Sequence, residues 1–159
     1  MYYCGLNTYD TSNGPGIRIS LFVSGCRMHC KGCFNPESWN FNYGKKFEID
    51  DIGQNIVSLL SNPYIEGFSL LGGDPFEPEH EEELLTLLIN IKTITNKSIW
   101  AWTGRKYSQI KNSPLLEYID VLVDGSFNEH LKDSKLKYRG SSNQRILQLH
   151  PFKDITNEY

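Results

Sequence analysis

The sequence has no long hydrophobic run and no strong excess of charge. None of its apolar stretches approaches the roughly 20 residues that span a membrane, and residues 1–6 lack the basic-then-apolar layout of a signal peptide. The formal net charge is −3, from 16 basic and 19 acidic residues, which argues against a broad surface for nucleic acid or lipid. We therefore expect a cytoplasmic protein that binds neither membranes nor nucleic acid directly.

Internal repeats, low-complexity tracts and long linkers are also absent, which predicts a single domain over residues 1–159. A chain of this length buries roughly two-thirds of its unfolded surface, so it needs neither metal nor disulfides merely to fold. Cysteine is scarce as well: there are four, and three of them crowd into one short segment instead of spreading out as in a disulfide scaffold. Clustered cysteines in a reducing compartment indicate a metal site, and here one with a functional role.

Short apolar runs alternate with amphipathic stretches, and this order predicts an α/β fold with a mostly parallel sheet. The predicted strands are 17–23, 67–71, 98–102 and 119–123, with a fifth at 145–149. The predicted helices are one capped by Asp50 and Asp51 that ends before Pro63, one with a stripe of Leu84, Leu85, Leu88 and Ile91, and short ones within 107–118. A complete eight-unit barrel needs roughly 200 residues or more, so we expect an incomplete (β/α) barrel with one open side.

Each of the four predicted central strands ends in glycine together with a polar or thiol group. The segments are Ser24-Gly25-Cys26, Gly72-Gly73-Asp74-Pro75, Thr103-Gly104 and Asp124-Gly125. Ligands of parallel α/β folds bind at the carboxyl ends of strands, so these groups are candidates for one common site. The alternative is that glycine and aspartate only terminate strands and cap the next helix, and it stays open above all for Thr103 and Asp124.

Cys26, Cys30 and Cys33 form a C-x3-C-x2-C run, with Gly32 placed where the backbone has to turn tightly. Three closely spaced thiolates can hold three irons of a four-iron cluster and leave the fourth open. An open coordination position is what separates a reactive metal site from a structural one. Two alternatives remain: structural zinc completed by Cys4 or a histidine, and a ferredoxin-like cluster in which Cys4 is the fourth ligand.

These motifs resemble a known superfamily. The C-x3-C-x2-C run is the signature of radical S-adenosylmethionine (SAM) enzymes, and the Gly72–Pro75 segment resembles the motif that holds the amino group of SAM in them. Within that superfamily the chain resembles the activating proteins of anaerobic (class III) ribonucleoside-triphosphate reductases. The matching segments follow one another through nearly the whole chain: 13–18, 22–26, 32–35, 38–39, 71–75, 99–104, 123–125 and 139–144. Three positions depart from the family's usual residues: Phe34 replaces Tyr, Arg105 replaces an aromatic residue and Tyr138 replaces Trp.

The resemblance implies a radical-SAM-like fold, two cofactors and two protein partners. Cys26, Cys30 and Cys33 would hold a [4Fe–4S] cluster whose open iron is chelated by SAM. Reductive cleavage of SAM would give a 5′-deoxyadenosyl radical that takes a hydrogen atom from a glycine of the reductase. The partners would be that reductase and an electron donor such as a flavodoxin or a ferredoxin. The expected cofactor contacts are Gly32, Cys33, Phe34, Gly72, Gly73, Asp74, Thr103 and Asp124.

Two other functions are compatible with the same residues: a different short radical SAM enzyme, and a non-catalytic module stabilised by zinc. Outside the cofactor motifs, we expect Trp39, Trp100 and Trp102 in the core, because large rings usually lie buried. Arg27 and Lys31 are expected to stabilise an anionic cluster by their charge. The Gly14-Pro15-Gly16 turn precedes the first central strand, which suits packing or partner contact. The basic residues of the last third are a solvated face or a docking surface for the partner: Lys132, Lys135, Lys137, Arg139 and Arg145.

Overall fold

A computed structural model gives the structure of all residues 1–159. The strands are β1 (Tyr2–Asp10), β2 (Arg18–Ser24), β3 (Lys45–Lys46), β4 (Gly67–Gly72), β5 (Ser98–Trp102), β6 (Val121–Asp124), β7 (Arg145–Leu149) and β8 (Phe152–Asp154). The α-helices are α1 (Gln54–Leu59), α2 (Glu81–Ile94) and α3 (Tyr107–Ile110), and a π-helical turn, Ile49–Gly53, precedes α1. Short 3-10 helices lie at Pro36–Trp39, Pro78–His80, Pro114–Glu117, Glu129–Leu131 and Thr156–Glu158. No helix combines the length and the apolar character that crossing a bilayer requires.

All strands belong to one sheet of order β3-β1-β2-β4-β5-β6-β7-β8. The central strands β2, β4, β5 and β6 pair in parallel, while the outer strands pair antiparallel with their neighbours. The two edges, β3 and β8, do not pair with each other, so the sheet is open. The predicted α/β class and the parallel central sheet are thereby confirmed, whereas the incomplete barrel stays a prediction.

The main hydrophobic core lies between one face of the sheet and helices α1 and α2. Alternate residues of β2 point into it, and Ile19, Leu21 and Val23 have no exposed surface. On α2 the buried stripe is Leu84, Leu87, Leu88 and Ile91, at the i, i+3, i+4, i+7 spacing of one helix face. Leu87 takes the place that the sequence prediction gave to Leu85, which is only partly buried. Each buried Leu or Ile contributes about 1.5–3 kcal/mol relative to an exposed side chain.

The opposite face of the sheet is partly polar and is organised by a fully buried arginine. Arg18 Nε donates to Ser69 Oγ (2.7 Å), and its Nη2 donates to the carbonyl oxygens of Phe68 and Ser98 (both 2.8 Å). Its Nη1 donates to the carbonyl of Pro15 (3.2 Å), so the Gly14–Gly16 turn is packed against the amino ends of β2, β4 and β5. Burial lowers the pKa of Arg18 to about 10. The structure thus gives the Gly-Pro-Gly turn a packing role.

Strand β1 was missed by sequence reasoning, and one predicted helix cap was wrong. Strand β1 was not predicted, because only Tyr3 and Asp10 of its residues are buried and the sequence shows no clean alternation. Asp50 and Asp51 do not cap a helix: the π-helical turn begins after Glu48 without any side-chain cap, and α1 begins at Gln54.

The three tryptophans occupy different environments. Trp100 is buried in a small cluster on the polar face of the sheet, as expected. Trp102 is partly buried against the same cluster, and its indole Nε1 donates to the carbonyl of Tyr138 (2.7 Å). Trp39 lies outside the core and stacks on the imidazole of His29, with ring centroids 4.4 Å apart. The core assignment therefore holds for Trp100 and is wrong for Trp39.

Candidate iron–sulfur site

The loops that follow the central strands contact one another at one edge of the sheet. The N–H of Gly73 donates to the carbonyl of Val23 (2.7 Å), and the N–H of Asp74 donates to that of Gly25 (2.9 Å). On the other side, the N–H of Thr103 donates to the carbonyl of Val123 (3.0 Å). The hydroxyl of Thr103 and the N–H of Gly104 also donate to the carboxylate of Asp74, so the structure brings all four strand-end segments together.

The cysteine loop has a defined backbone. Cys26 N–H donates to the carbonyl of Trp39 (3.3 Å), and Cys33 N–H donates to that of Cys30 (3.1 Å). Gly32 has a φ of 77°, which favours glycine, and a Cβ there would lie 2.9 Å from a carboxylate oxygen of Glu129. This geometry agrees with the expectation that the loop turns tightly between its last two cysteines.

All four cysteines are free thiols; Cys26 is buried, and Cys30 and Cys33 are partly buried. Burial raises the pKa of Cys26 to about 11, although N–H groups of Met28 and His29 act in the opposite direction. Burial also raises the pKa of Cys30. The thiols of Cys26 and Cys30 are therefore protonated at neutral pH unless a cation stabilises the thiolates, and metal binding would release their protons.

The donor set of the loop fits an iron–sulfur cluster in chemical type. Thiolates are the ligands that iron–sulfur clusters and zinc prefer, and the loop offers three of them. Cys4 lies on β1, where its thiol donates to the carbonyl of Phe22 (3.4 Å), so it is engaged in the β1–β2 contact. In the structure, no group of three or more His, Cys, Asp or Glu side chains is gathered in a metal-binding arrangement. The three ligand assignments therefore remain predictions that rest on residue type and placement.

The two glycines after β4 allow a close approach between backbones. A Cβ on Gly72 would lie 2.5 Å from the backbone of Val23, and one on Gly73 would lie 2.4 Å from the carbonyl oxygen of Gly25. In the structure they allow a close approach to Val23 of β2 and to Gly25, the residue before Cys26, and this brings the two predicted cofactor motifs together. Their contact with a ligand stays a prediction.

Asp74 is fully buried, and its carboxylate is surrounded by donors from the protein itself. It accepts hydrogen bonds from the N–H of Phe76 (2.9 Å), the N–H of Gly104 (3.1 Å) and the hydroxyl of Thr103 (2.9 Å to Oδ2). Arg105 Nη1 forms an ion pair with Oδ2 at 2.8 Å, at an angle unsuited to a hydrogen bond. Burial raises the pKa of Asp74, and these donors oppose that effect. Asp74 and Thr103, both predicted cofactor contacts, are thus bonded to each other.

Asp124 is also almost fully buried and engaged by the protein. Arg145 donates to it through Nε (2.9 Å) and Nη2 (2.5 Å), and the N–H of Tyr107 at the start of α3 donates to Oδ2 (2.7 Å). A buried carboxylate at a helix start satisfies a free N–H and is favoured by the helix dipole. The geometry therefore favours the structural interpretation that the sequence left open for this residue.

Phe34 lies at the surface next to the cysteine loop. Its side chain is 79% exposed, its ring centroid is 5.9 Å from that of Phe127, and the Nζ of Lys132 lies 5.2 Å from the ring centre.

Lys132, Lys135 and Lys137 are exposed, as expected for a solvated face. Arg145 is exposed as well, although its guanidinium pairs with Asp124, whereas Arg139 is only partly exposed.

The positive charges of the cysteine loop are offset by carboxylates. Arg27 pairs with Glu77 (2.7 Å) and with Glu79, and Lys31 pairs with Glu129 (3.0 Å). Their expected role in stabilising an anionic cluster stays a prediction, and these ion pairs reduce the net positive charge that they bring to the loop. Glu77 and His80 were missed by sequence reasoning, because a Glu and a His near the start of a helix carry no distinctive signal. Both are 1% exposed and contact the cysteine loop.

Comparison with known proteins places these features in a family. A family model described as "4Fe-4S single cluster domain" matches residues 12–147. The anaerobic ribonucleoside-triphosphate reductase-activating protein of Enterobacteria phage T4 is 42% identical over 147 residues, which cover 92% of this chain and 93% of that protein. The protein of the same name from Haemophilus influenzae is 42% identical over 158 residues (96% and 99%). That from Escherichia coli K12 is 41% identical over 145 residues (88% and 94%).

These matches extend over nearly the whole chain and include the cysteine loop and all four strand ends. The resemblance inferred from the ordered motifs is thereby confirmed. The chain belongs to the family of anaerobic ribonucleoside-triphosphate reductase-activating proteins and carries its 4Fe–4S domain.

Proposed function

We propose that this chain is a radical SAM activase that installs a glycyl radical on an anaerobic ribonucleoside-triphosphate reductase. The observation that carries the proposal is the contact between the C-x3-C-x2-C loop and the Gly-Gly-Asp-Pro turn, where Asp74 N–H donates to Gly25 (2.9 Å). In this contact, Gly25 immediately precedes Cys26, the first of the three free thiols of the loop, and the turn expected to bind SAM lies at the carboxyl end of β4. The relatives named for activating this reductase support the choice of protein substrate.

In this proposal Cys26, Cys30 and Cys33 bind three irons as thiolates, and no fourth cysteine of the loop competes for the last iron. When bound and reduced, the cluster would supply the electron that splits SAM into methionine and a 5′-deoxyadenosyl radical, which would take the hydrogen atom from the reductase glycine. The protein's part is to bind, orient and shield these groups from water. A flavodoxin or a ferredoxin is the proposed source of the electron.

We assign the proposed SAM contacts to two groups of residues. Gly32–Phe34 and the backbone of Gly72 and Gly73 would contact SAM directly, since the first segment contains Cys33 and the two glycines pack against the backbone just before Cys26. Asp74 and Thr103 would act mainly by holding the turn in shape, because their side chains are bonded to each other. Asp124 would not contact SAM; it would hold the loop between β6 and β7 in place through its pairing with Arg145.

The proposal is tested by anaerobic reconstitution with iron and sulfide, followed by assay of SAM cleavage and of radical formation on the reductase. We expect about four irons per chain, release of 5′-deoxyadenosine, and a glycyl-radical EPR signal when the reductase is present. Cys30→Ala is expected to abolish cleavage, whereas the matched variant Cys4→Ala is expected to retain it. A loaded cluster without any glycyl-radical signal, or zinc in place of iron, would contradict the proposal.

A further inference from the structure

Glu77 is a buried carboxylate at the junction of three loops. It follows the Gly-Gly-Asp-Pro turn by two residues and is 1% exposed. Its Oε1 accepts the backbone N–H of Arg27 (2.8 Å) and lies 3.0 Å from Nη2 of Arg105, and its Oε2 accepts Nη1 of Arg27 (2.7 Å). Arg27 belongs to the cysteine loop and Arg105 to the loop after β5. One side chain therefore connects the three loops that carry the predicted cofactor residues.

Two arginines face the two buried carboxylates of this junction. Asp74 and Glu77 are two buried carboxylates, and Arg105 lies between them, 2.8 Å from the first and 3.0 Å from the second. Arg27 supplies the second positive charge. A buried charge without a partner is strongly unfavourable. This gives a physical reason for Arg105 at a position where an aromatic residue is usual: an aromatic ring would leave two buried carboxylates with one cation.

The contact with the cysteine loop is continuous along the backbone. The carbonyl of Ser24 lies 2.8 Å from Nε2 of His80, and the carbonyl of Gly25 accepts the N–H of Asp74. The N–H of Arg27, the first amide after Cys26, is held by Glu77. Segment 74–80 thus binds segment 24–27 on both sides of the first cysteine, and Glu77 supplies the only carboxylate oxygen among these backbone contacts.

We propose that Glu77 is a positioning residue that holds Cys26 and the start of the cysteine loop in place before a cluster is bound. It acts on the cluster ligands through the Arg27 amide, and it ties their position to the turn at Gly72–Pro75 through Arg105 and Asp74. The inference rests on the proposed function, because it presumes that the cysteine loop is the cluster-binding loop.

The test is amide hydrogen exchange of the cluster-free full-length chain, compared between Glu77→Gln and the matched control Glu79→Gln. Glu79 also pairs with the Arg27 side chain, but it is half-exposed and accepts no hydrogen bond from the backbone of the cysteine loop. We expect Glu77→Gln to raise exchange within residues 25–33 about tenfold, since it weakens a charge-assisted hydrogen bond to that loop. Glu79→Gln should leave this exchange unchanged. After reconstitution, the Glu77→Gln cluster should also be lost to a chelator about tenfold faster.

Wild-type exchange in a folded Glu77→Gln variant, or an equal rise throughout the chain, would overturn the inference. If Glu77→Gln does not fold, Arg105→Gln and Arg105→Lys take its place: the first is expected to loosen the cysteine loop and the second, which keeps the charge, to restore most of the protection. Equal exchange in these two variants would likewise overturn it. Failure of the wild type to bind iron and sulfide would contradict the proposed function instead. The hydrogen exchange of the cluster-free chain would still show whether Glu77 orders the cysteine loop.

Discussion

Replacing Asp74 by Asn distinguishes a carboxylate that holds the turn together from one that is free to bind a ligand. In the structure its two oxygens accept two backbone N–H groups and the Thr103 hydroxyl, and Arg105 is 2.8 Å away. Asparagine offers one acceptor oxygen and an NH2 group, which would face donors instead of accepting from them. It would also leave Arg105 with one buried carboxylate fewer.

The magnitude follows from the loss of a buried ionic partner, which costs about 3–5 kcal/mol when the other partner stays in place. For a chain of this size, about 2–4 °C of Tm per kcal/mol gives a decrease of about 6–20 °C. Thr103→Val removes one hydroxyl and keeps the carboxylate, so we expect a smaller loss, about 1–3 kcal/mol. Urea unfolding of the cluster-free variants, followed by circular dichroism, measures both changes.

The opposite result is equally clear. If Asp74 acted mainly by contacting the SAM ammonium group, Asp74→Asn would leave the cluster-free protein as stable as the wild type and would raise the KM for SAM. A loss of stability below about 1 kcal/mol, the worth of one ordinary hydrogen bond, would refute the structural role that we assign to this carboxylate.

The remaining predictions concern the packing and charges around the same loops. Gly73→Ala places a Cβ 2.4 Å from the carbonyl oxygen of Gly25, so we expect lower stability and impaired iron loading. Gly5→Ala is the control and should be tolerated, because its Cβ would lie no closer than 3.5 Å to any neighbour. Thermal unfolding and iron analysis of both variants check this. Although burial of Glu77 acts in the opposite direction, the hydrogen bonds from Arg27 and the nearby guanidinium of Arg105 lower its pKa from 4.5. The ionised Glu77 carboxylate therefore stabilises the folded protein above that ordinary value, and this stabilisation is lost as the pH falls through the lowered pKa. The difference in unfolding free energy between wild type and Glu77→Gln should shrink on acidification below pH 4.5. Equal differences at pH 7 and in acid would contradict this. Arg18→Met leaves the carbonyls of Phe68 and Ser98 without the donor that Arg18 supplies. Urea unfolding should show a decrease in the free energy of unfolding of about 3 kcal/mol or more. An unchanged urea midpoint would refute the stabilising role of this arginine.

The central sheet could be predicted because its strands are buried on the face that packs against the helices. Ile19, Leu21 and Val23 alternate in β2, and this period is visible in the sequence. Strand β1 could not be predicted in the same way, since it is an outer strand whose side chains are mostly half-exposed. Its place is determined by pairing with β2, a tertiary contact that leaves no period in the sequence.

The sequence was enough to predict which loops form the candidate site, but not which side chains contact one another within it. The rule that ligands bind at the carboxyl ends of parallel strands selected the segments at Cys26, Gly72, Thr103 and Asp124, and the structure brings these segments together. The rule does not say which side chains bind each other there. The carboxylate of Asp74 accepts hydrogen bonds from Thr103 and Gly104, and the rule does not predict this. The role of Glu77 depends on its burial, which the sequence around it does not reveal.

Mössbauer spectroscopy of the anaerobically reconstituted chain, with and without SAM, tests the central claim most directly. Three cysteine thiolates would leave one iron of the cluster without a protein ligand, so we expect one iron site to change its parameters when SAM is added while the other sites stay as they were. Four irons that respond identically, or a spectrum that SAM does not alter, would contradict the account.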